Sequence, residues 1–427
     1  MKKLFILLLL LPVLNISAQE KSLKDQALES FDKGHYDKSI NLLNEALKRT
    51  KNDPEIYCYL GMATHYKAYS NQGEGKYDYT KSEQVFNYLN KAIELDSTYG
   101  DARYFYGAEC SVNALKAMED RNLEKMKFFY EKAYDKGAYP SWLIDFGYNM
   151  LMSCDRNAIL FTGGSADFDV CSYLQLHRDF RTDVTIIPIT DIGRPWYIKF
   201  LKDGLEGGVK PITINMTDEE IQNLRPVKWK DTELSLYYDR AYQRGLRLPS
   251  GHKMKWLVEA DLDSNKKYVA SESNSKRVYL SAQRAMLLKI IEDNYGDRKI
   301  FFSNACEPYL LAGLFKYTRN RGLVGELMPI ETAGTTILND YEEMAKLLTK
   351  ANLRNYRKLK DSDIPRVSGI LYLYHNSLVT LAGYYRLIKD EAELKTLLKT
   401  YSECLRGVNE EDDEYYPSVL KIKYKKK

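Results

Sequence analysis

From Ser22 to about Met152 the apolar residues recur every third or fourth position, with almost no alternation of the kind that marks strands, so the first third of the chain is expected to be helical. After Cys154-Asp155-Arg156 the pattern changes. Short apolar runs, AILFT (158–162), VTIIPI (184–189) and PITIN (211–215), read as strands, with helices over Phe168 to His177 and Pro195 to Asp203 between them. The stretch from about 217 to 275 is less regular, holds Trp229, Trp256 and many charges, and reads as an insertion. The alternation then resumes with a helix over Val278 to Asn294, KIFFSNA (299–305) as a strand, a helix over Tyr309 to Asn320, and LVGELMPI (323–330) as a last strand. Strands that alternate with helices imply right-handed crossovers and a mostly parallel sheet. NDYEEMAKLL, the stretch Val367 to Tyr385 and DEAELKTLLKTYSECL return to helices. The expected fold class is therefore α/β plus all-α: helical hairpins, then a mostly parallel α/β sheet domain, then C-terminal helices.

The expected boundaries are a leader over 1–18, helical repeats over 19–153, the α/β domain over 154–335, helical hairpins over 336–410 and a basic tail over 411–427. The leader places Lys2 and Lys3 before an apolar run from Leu4 to Leu14 and ends in Ile16-Ser17-Ala18, the form of a secretory signal peptide, too short to span a bilayer. Its cleavage predicts an exported, periplasmic chain. Val367 to Tyr385 carries no Asp, Glu, Lys or Arg, but His375, Asn376, Ser377 and Thr380 would fall near a bilayer centre, so a buried soluble helix is expected and no transmembrane span after cleavage.

Within the first third, Ala27, Gly34-His35-Tyr36, Leu43, Ala46-Leu47 and Asn52-Asp53-Pro54 carry a small-residue, turn and proline spacing that resembles a tetratricopeptide repeat. Looser units follow, with Leu60-Gly61, Leu89, Ala92 and Leu95 in the second and Tyr106-Gly107, Tyr130 and Ala133 in the third. The spacings from Ala46 to Ala92 and from Ala92 to Ala133 exceed the roughly 34 residues of the standard repeat, which places an insertion at the glycine-containing NQGEGKYDYTKS. Stacked hairpins of this type present a concave surface for a peptide or partner protein.

Charge and cysteine usage narrow the chemistry. The formal net charge of +4 arises from well-mixed signs, which excludes the basic footprint of a nucleic-acid binder. Cys58, Cys110, Cys154, Cys171, Cys306 and Cys404 stand singly, without metal-knuckle or redox spacing, and the five histidines form no H-E-x-x-H motif, so neither a metal nor another cofactor is expected.

If the strands are parallel, the loops after them share one edge of the sheet, where ligands of such folds sit. They contain Gly163 to Asp169, Asp191 to Pro195 and Ala305 to Pro308, and the candidate ligand-binding residues are Gly163, Gly164, Ser165, Asp167, Asp169, Asp191, Arg194 and Trp196. GGSADFD places acids where a phosphate cradle needs a lysine. Ser165 in G-x-S-x-D lacks the closing glycine of a nucleophile elbow, for which His177, His252 or His375 would be the base, and a serine at a helix start also serves as a cap. Asp167-Phe168-Asp169 has the D-x-D form of a metal site, but two acids in a first helical turn also suit the helix dipole. Cys306 reads as a buried thiol.

Two blocks, NAILFTGGSADFDVCSYLQLHRDFRTDVTIIPITDIGRPWYI and MLLKIIEDNYGDRKIFFSNACEPYLLAGLFKYTRNRGLVGELMPI, resemble the extramembrane C-terminal region of bacterial protein O-mannosyltransferase-like membrane proteins (domain of unknown function 2723), above all at Arg181-Thr182-Asp183-Val184, Trp196-Tyr197-Ile198 and Gly322-Leu323. Where that family follows the first strand with Asn-Gly-Asp-Asn-Asp, this chain has Gly163-Gly164-Ser165-Ala166-Asp167. The resemblance implies an accessory domain without the membrane-embedded catalytic half. The function expected is a non-enzymatic binding or scaffold protein, with a protein or peptide held by the repeats and a glycan as a second candidate partner. The alternative is a glycan- or ester-acting enzyme that uses Ser165 or the Asp167, Asp169 pair.

Overall fold

A computed structural model describes residues 22–70, 76–237, 253–262, 277–331, 338–359 and 364–405. The expected leader, the core of the glycine-containing insertion (71–75), His252 and the basic tail lie outside them. The chain divides into two compact units, at Ser97/Thr98.

The first unit holds α1 (Leu23–Asp32), α2 (Tyr36–Arg49), α3 (Pro54–Ser70) and α4 (Ser82–Leu95). Ser22 caps α1, its Oγ accepting from Asp25 N at 3.1 Å, and Asp53 caps α3, accepting from Glu55 N at 2.9 Å, with Lys24 Nζ 2.8 Å from the same carboxylate. Between α1, α2 and α3, Ala27, Leu43, Ala46, Ile56 and Leu60 form the core. The small residues are there because the helices approach closely: a Cβ on Gly61 would lie 2.7 Å from the Leu89 side chain on α4.

The second unit begins with α5 (Gly100–Glu119), α6 (Leu123–Asp135) and α7 (Ser141–Met152). Sequence periodicity groups these three with the preceding helices, yet they share a compact unit with the sheet. The reason is packing: α6 and α7 lie on α8 (Ser165–Arg178), and Ser111 of α5 hydrogen-bonds to Asp169 of α8.

The sheet is built from β1 (Ile159–Thr162), β2 (Thr185–Pro188), β8 (Ile300–Ser303), β9 (Thr318–Asn320), β10 (Val324–Leu327) and β11 (Leu338–Asn339), in the order β11-β9-β10-β8-β1-β2. Strands β8, β1 and β2 are parallel, with Leu160 opposite both Ile186 and Phe301; β10 runs antiparallel to β8 and β9, and β11 parallel to β9. All four residues of β1, β2, β8 and β10 are buried, as a sheet covered on both faces requires. Helix α9 (Pro195–Asp203) follows β2 where the sequence pattern places it, and the expected insertion carries α10 (Asp218–Gln222), β3 (Val227–Lys228) and an antiparallel hairpin of β4 (Thr232–Tyr237) and β5 (Lys253–Val258).

Three expected elements differ. PITIN (211–215) buries Ile212 and Ile214 but pairs with no strand; its backbone is satisfied by Asn294 and Asp293, which bind Thr213 N and O and Asn215 N. The helix expected from Val278 starts only at Ala282: β7 (Arg277–Leu280) pairs with β3 and with β6 (Asp261–Leu262) before α11 (Ala282–Asn294) begins. The helix expected over Tyr309 to Asn320 is replaced by two 3-10 turns, Pro308–Leu311 and Leu314–Tyr317, and then β9. Ala312 (φ 49°) and Gly313 (φ 85°) are both left-handed, which no α-helix accommodates.

The C-terminal helices are α12 (Tyr341–Leu347), α13 (Ile364–Leu387) and α14 (Glu391–Cys404). They are keyed to α7 by polar contacts: Asn149 Nδ2 donates to Tyr374 Oη (2.8 Å) and Asn352 O (2.9 Å), and Tyr356 Oη donates to Trp142 O (2.8 Å). Among the described residues no helix is long and apolar enough to cross a membrane. The six cysteines are buried.

The end of the sheet where β1, β2 and β8 begin is fastened by ions. Arg181 donates to the carbonyls of Leu151, Cys154 and Asp155 and to Asp183, while Arg298 ties Asn157 O and Ala158 O, just before β1, to Thr185 Oγ1 on β2. The Arg181 guanidinium, helped by the Asn157 N–H, holds the Asp183 carboxyl down at about 2. Beside them Glu326 of β10, with a side chain only 2% exposed, accepts from Lys299 (2.8 Å), Arg319 (2.6 Å) and Arg321 (2.8 Å), and Asp155 and Asp340 complete the network.

Because removing one partner of a buried ion pair strands the others, Glu326→Ala should cost about 3–5 kcal/mol, read as a fall in the denaturant midpoint. Asp183 titrates lower when folded than unfolded, so its contribution is present above the ordinary carboxyl range and lost as pH falls from about 4 toward 2. In that window Asp183→Asn should show a shallower loss of stability than the parent chain.

Candidate functional site

The parallel strands β8, β1 and β2 end together, and the loops that follow them are Asn304 to Glu307, Gly163 to Gly164 and Ile189 to Arg194. Gly163 lies against the loop after β8: a Cβ there would be 2.4 Å from Ala305 O and 3.0 Å from Cys306 N. At Gly164 a Cβ would meet nothing within 4 Å. The two glycines thus have different reasons to exist, and only the first is fixed by packing.

Asp167 is the third residue of α8 and its carboxylate turns back over the loop. Oδ2 accepts from Gly163 N (2.8 Å), and Oδ1 accepts from Gly164 N (2.9 Å) and from its neighbour Phe168 N (3.1 Å). This is the reciprocal arm of a capping box, closed by an acid in the first turn. Burial pushes the Asp167 carboxyl up, and the N–H groups of Gly163 and Gly164 and the Ser303 hydroxyl draw it back. The N–H groups of the two loop glycines are therefore already bound to Asp167.

Asp169 faces elsewhere. Two residues apart on a helix, side chains do not share a face, and Asp169 Oδ1 accepts from Ser111 Oγ on α5 at 2.9 Å. The D-x-D pair consequently does not converge. Asp191 is buried in the loop after β2, with Oδ1 3.1 Å from Arg194 Nε and Oδ2 accepting from Thr190 Oγ1 at 3.3 Å; burial raises its carboxyl and Arg194 opposes the rise. Trp196 lies half-buried at the start of α9, its ring 5.4 Å from that of Tyr197. Among the described residues no group of three or more His, Cys, Asp or Glu side chains is arranged to hold a metal ion.

Ser165 is the first residue of α8, and His177 lies twelve residues on, about 18 Å along the axis at 1.5 Å per residue. His177 Nε2 is 3.0 Å from Lys127 O, and His375 on α13 packs 5.9 Å from the ring of Tyr401. Cys306 is buried with Sγ 3.5 Å from Phe161 O, and burial pushes its thiol up.

The outer rim of this edge was not legible in the sequence. Gly193 packs against Gln283 at the start of α11, Asp261 accepts from Ser281 N at 2.6 Å, and the buried Arg284 lies 4.8 Å under the exposed ring of Tyr309. A cleft of about 550 Å³ opens instead at the other end of α8, lined by Lys127, Gln175, Asp179, Thr182 and the loop from Asp203 to Pro211.

Residues 143–244 match the family model described as TMEM260-associated domain 2. The match runs from α7 through β4 and takes in the loops after β1 and β2, every candidate residue on them, and Arg181 with Asp183. It fits a TMEM260/O-mannosyltransferase-like extramembrane domain over the first of the two resembling blocks and stops short of the second. No curated protein and no solved structure matches the chain.

The two glycines should respond differently to the same substitution. Gly163→Ala forces a backbone clash and should cost about 1–3 kcal/mol, whereas Gly164→Ala should stay within about 0.5 kcal/mol of the parent. Paired thermal unfolding curves measure both.

Proposed function

We propose that the chain is a non-catalytic binding or scaffold protein of the cell envelope, exported by its leader, which combines tetratricopeptide-type hairpins that recruit a peptide or protein with an α/β module of the glycosylation-associated type. The single observation that supports this reading is the closure of the loop after β1 by Asp167. The N–H groups of Gly163 and Gly164 are bound to the protein's own carboxylate, and the two members of the D-x-D pair serve different contacts. His177, twelve residues further along the same helix, lies too far from the start of α8 to serve Ser165 as a base. The exposed Tyr66 and Tyr69 on α3 are suitable contact residues for the recruitment role, since aromatic side chains dominate the energetics of protein interfaces.

The rival reading is an enzyme acting on glycans or esters through Ser165 or Asp167. Incubating the purified chain with a fluorophosphonate probe and a panel of glycosides separates the two. Neither labelling nor hydrolysis is expected; a signal that Ser165→Ala or Asp167→Asn abolishes would establish the enzyme. For recruitment, crosslinking in the periplasm with the full chain and with Tyr66→Ser/Tyr69→Ser should recover fewer partners from the variant. Unchanged recovery would reject these tyrosines as the contact.

A further inference from the structure

Asp169 is the least accounted-for charge in the second unit. It is fully enclosed between α8 and the α5–α6 hairpin, and the hydroxyl of Ser111 is the donor it meets, at 2.9 Å. The phenols of Tyr130 on α6, which has Ser172 as a neighbour, and of Tyr139 in the segment after α6 are buried in the same interior, and neither hydrogen-bonds to Asp169. The other titratable groups that face this interior are Glu109 and Cys110 of α5, Asp167 of α8, Asp191 of the loop after β2 and Tyr197 of α9. The nearby cations serve other groups: Arg194 reaches Asp191, and Lys132 lies by Cys110 and Glu109.

A carboxylate in such a place has one donor, two acid neighbours and no cation of its own, and an unpaired buried charge is costly. A neutral carboxyl fits it. In the neutral form Ser111 still donates to one carboxyl oxygen, which leaves α5 and α8 joined through that hydrogen bond with no charge uncompensated. Burial, with Asp167 and Asp191 adding to it, pushes the Asp169 carboxyl well above the usual range.

We propose that Asp169 is a proton-dependent latch: its neutral carboxyl holds the α5–α6 hairpin against α8, and its ionisation loosens that hairpin. The folded state binds the proton more tightly than the unfolded chain, so stability is full below the ordinary carboxyl range and declines as pH rises from there to the folded value. Each unit by which folding raises that value weakens the latch about tenfold once the group is ionised.

The test is hydrogen exchange on the full chain between pH 4 and pH 8, corrected for the intrinsic pH dependence of exchange, with amides of residues 100–135 compared with those of β1 and β8. Protection of the hairpin should fall by about tenfold or more over this range in the parent chain and change little in Asp169→Asn, which keeps the shape and cannot ionise. A parent profile independent of pH, or an Asp169→Asn profile as steep as the parent's, would overturn the proposal. Should Asp169→Asn not fold, Ser111→Ala supplies the second arm. Removing the donor that favours the charged form should steepen the decline, and an unaltered slope would count against the latch.

Discussion

The arrangement on which the rest of the sheet edge depends is one carboxylate bound to two consecutive glycine amides. By accepting from Gly163 and Gly164, Asp167 fixes the angle at which β1 gives way to α8, and so fixes where the helix lies across the sheet. Because α8 also carries Ser172, Tyr173 and Gln175 toward α6 and β2, an error in that angle would reach both layers at once. A loop that in many α/β proteins is kept open for a ligand is here satisfied from within.

The opposite end of the parallel strands is organised by different physics. There the chain uses guanidinium groups as multidentate clamps: Arg181 and Arg298 between them bind five main-chain carbonyls, and Arg319 and Arg321 converge on Glu326. Such forks suit carbonyl and carboxylate geometry in a way that a lysine does not. The prominence of Arg181-Thr182-Asp183-Val184 in the resemblance to the O-mannosyltransferase-like region is thus explained by architecture, since both charged residues of that motif hold α7, β1 and β2 in register.

What the sequence revealed follows from how each segment satisfies its backbone. The fully apolar runs of β1, β2 and β8 declare themselves because a strand buried on both faces has no polar positions to spare. PITIN has the same alternation as a strand, but the side chains of Asn294 and Asp293 replace its neighbour, and those residues lie far away in the chain. The apolar spacing of Tyr309, Leu310, Leu314 and Tyr317 imitates a helix, and the left-handed pair Ala312 and Gly313 breaks it. At the candidate site the glycines and acids were visible and their roles only in part. A first-turn acid was expected to answer the helix dipole, and Asp167 does so through specific hydrogen bonds. Asp169 depends on Ser111, 58 residues earlier, a pairing for which a single sequence carries no signal.

The six buried thiols have a consequence for how this chain would behave in an oxidising compartment. Burial pushes Cys110, Cys154, Cys171 and Cys306 away from the reactive thiolate form. While the chain is folded these sulfurs are withheld from exchange, and while it is unfolded all six are available to pair in any combination. In such a compartment folding therefore races against oxidation, and the native state, once reached, shields itself from its own scrambled forms by kinetics rather than by a covalent staple.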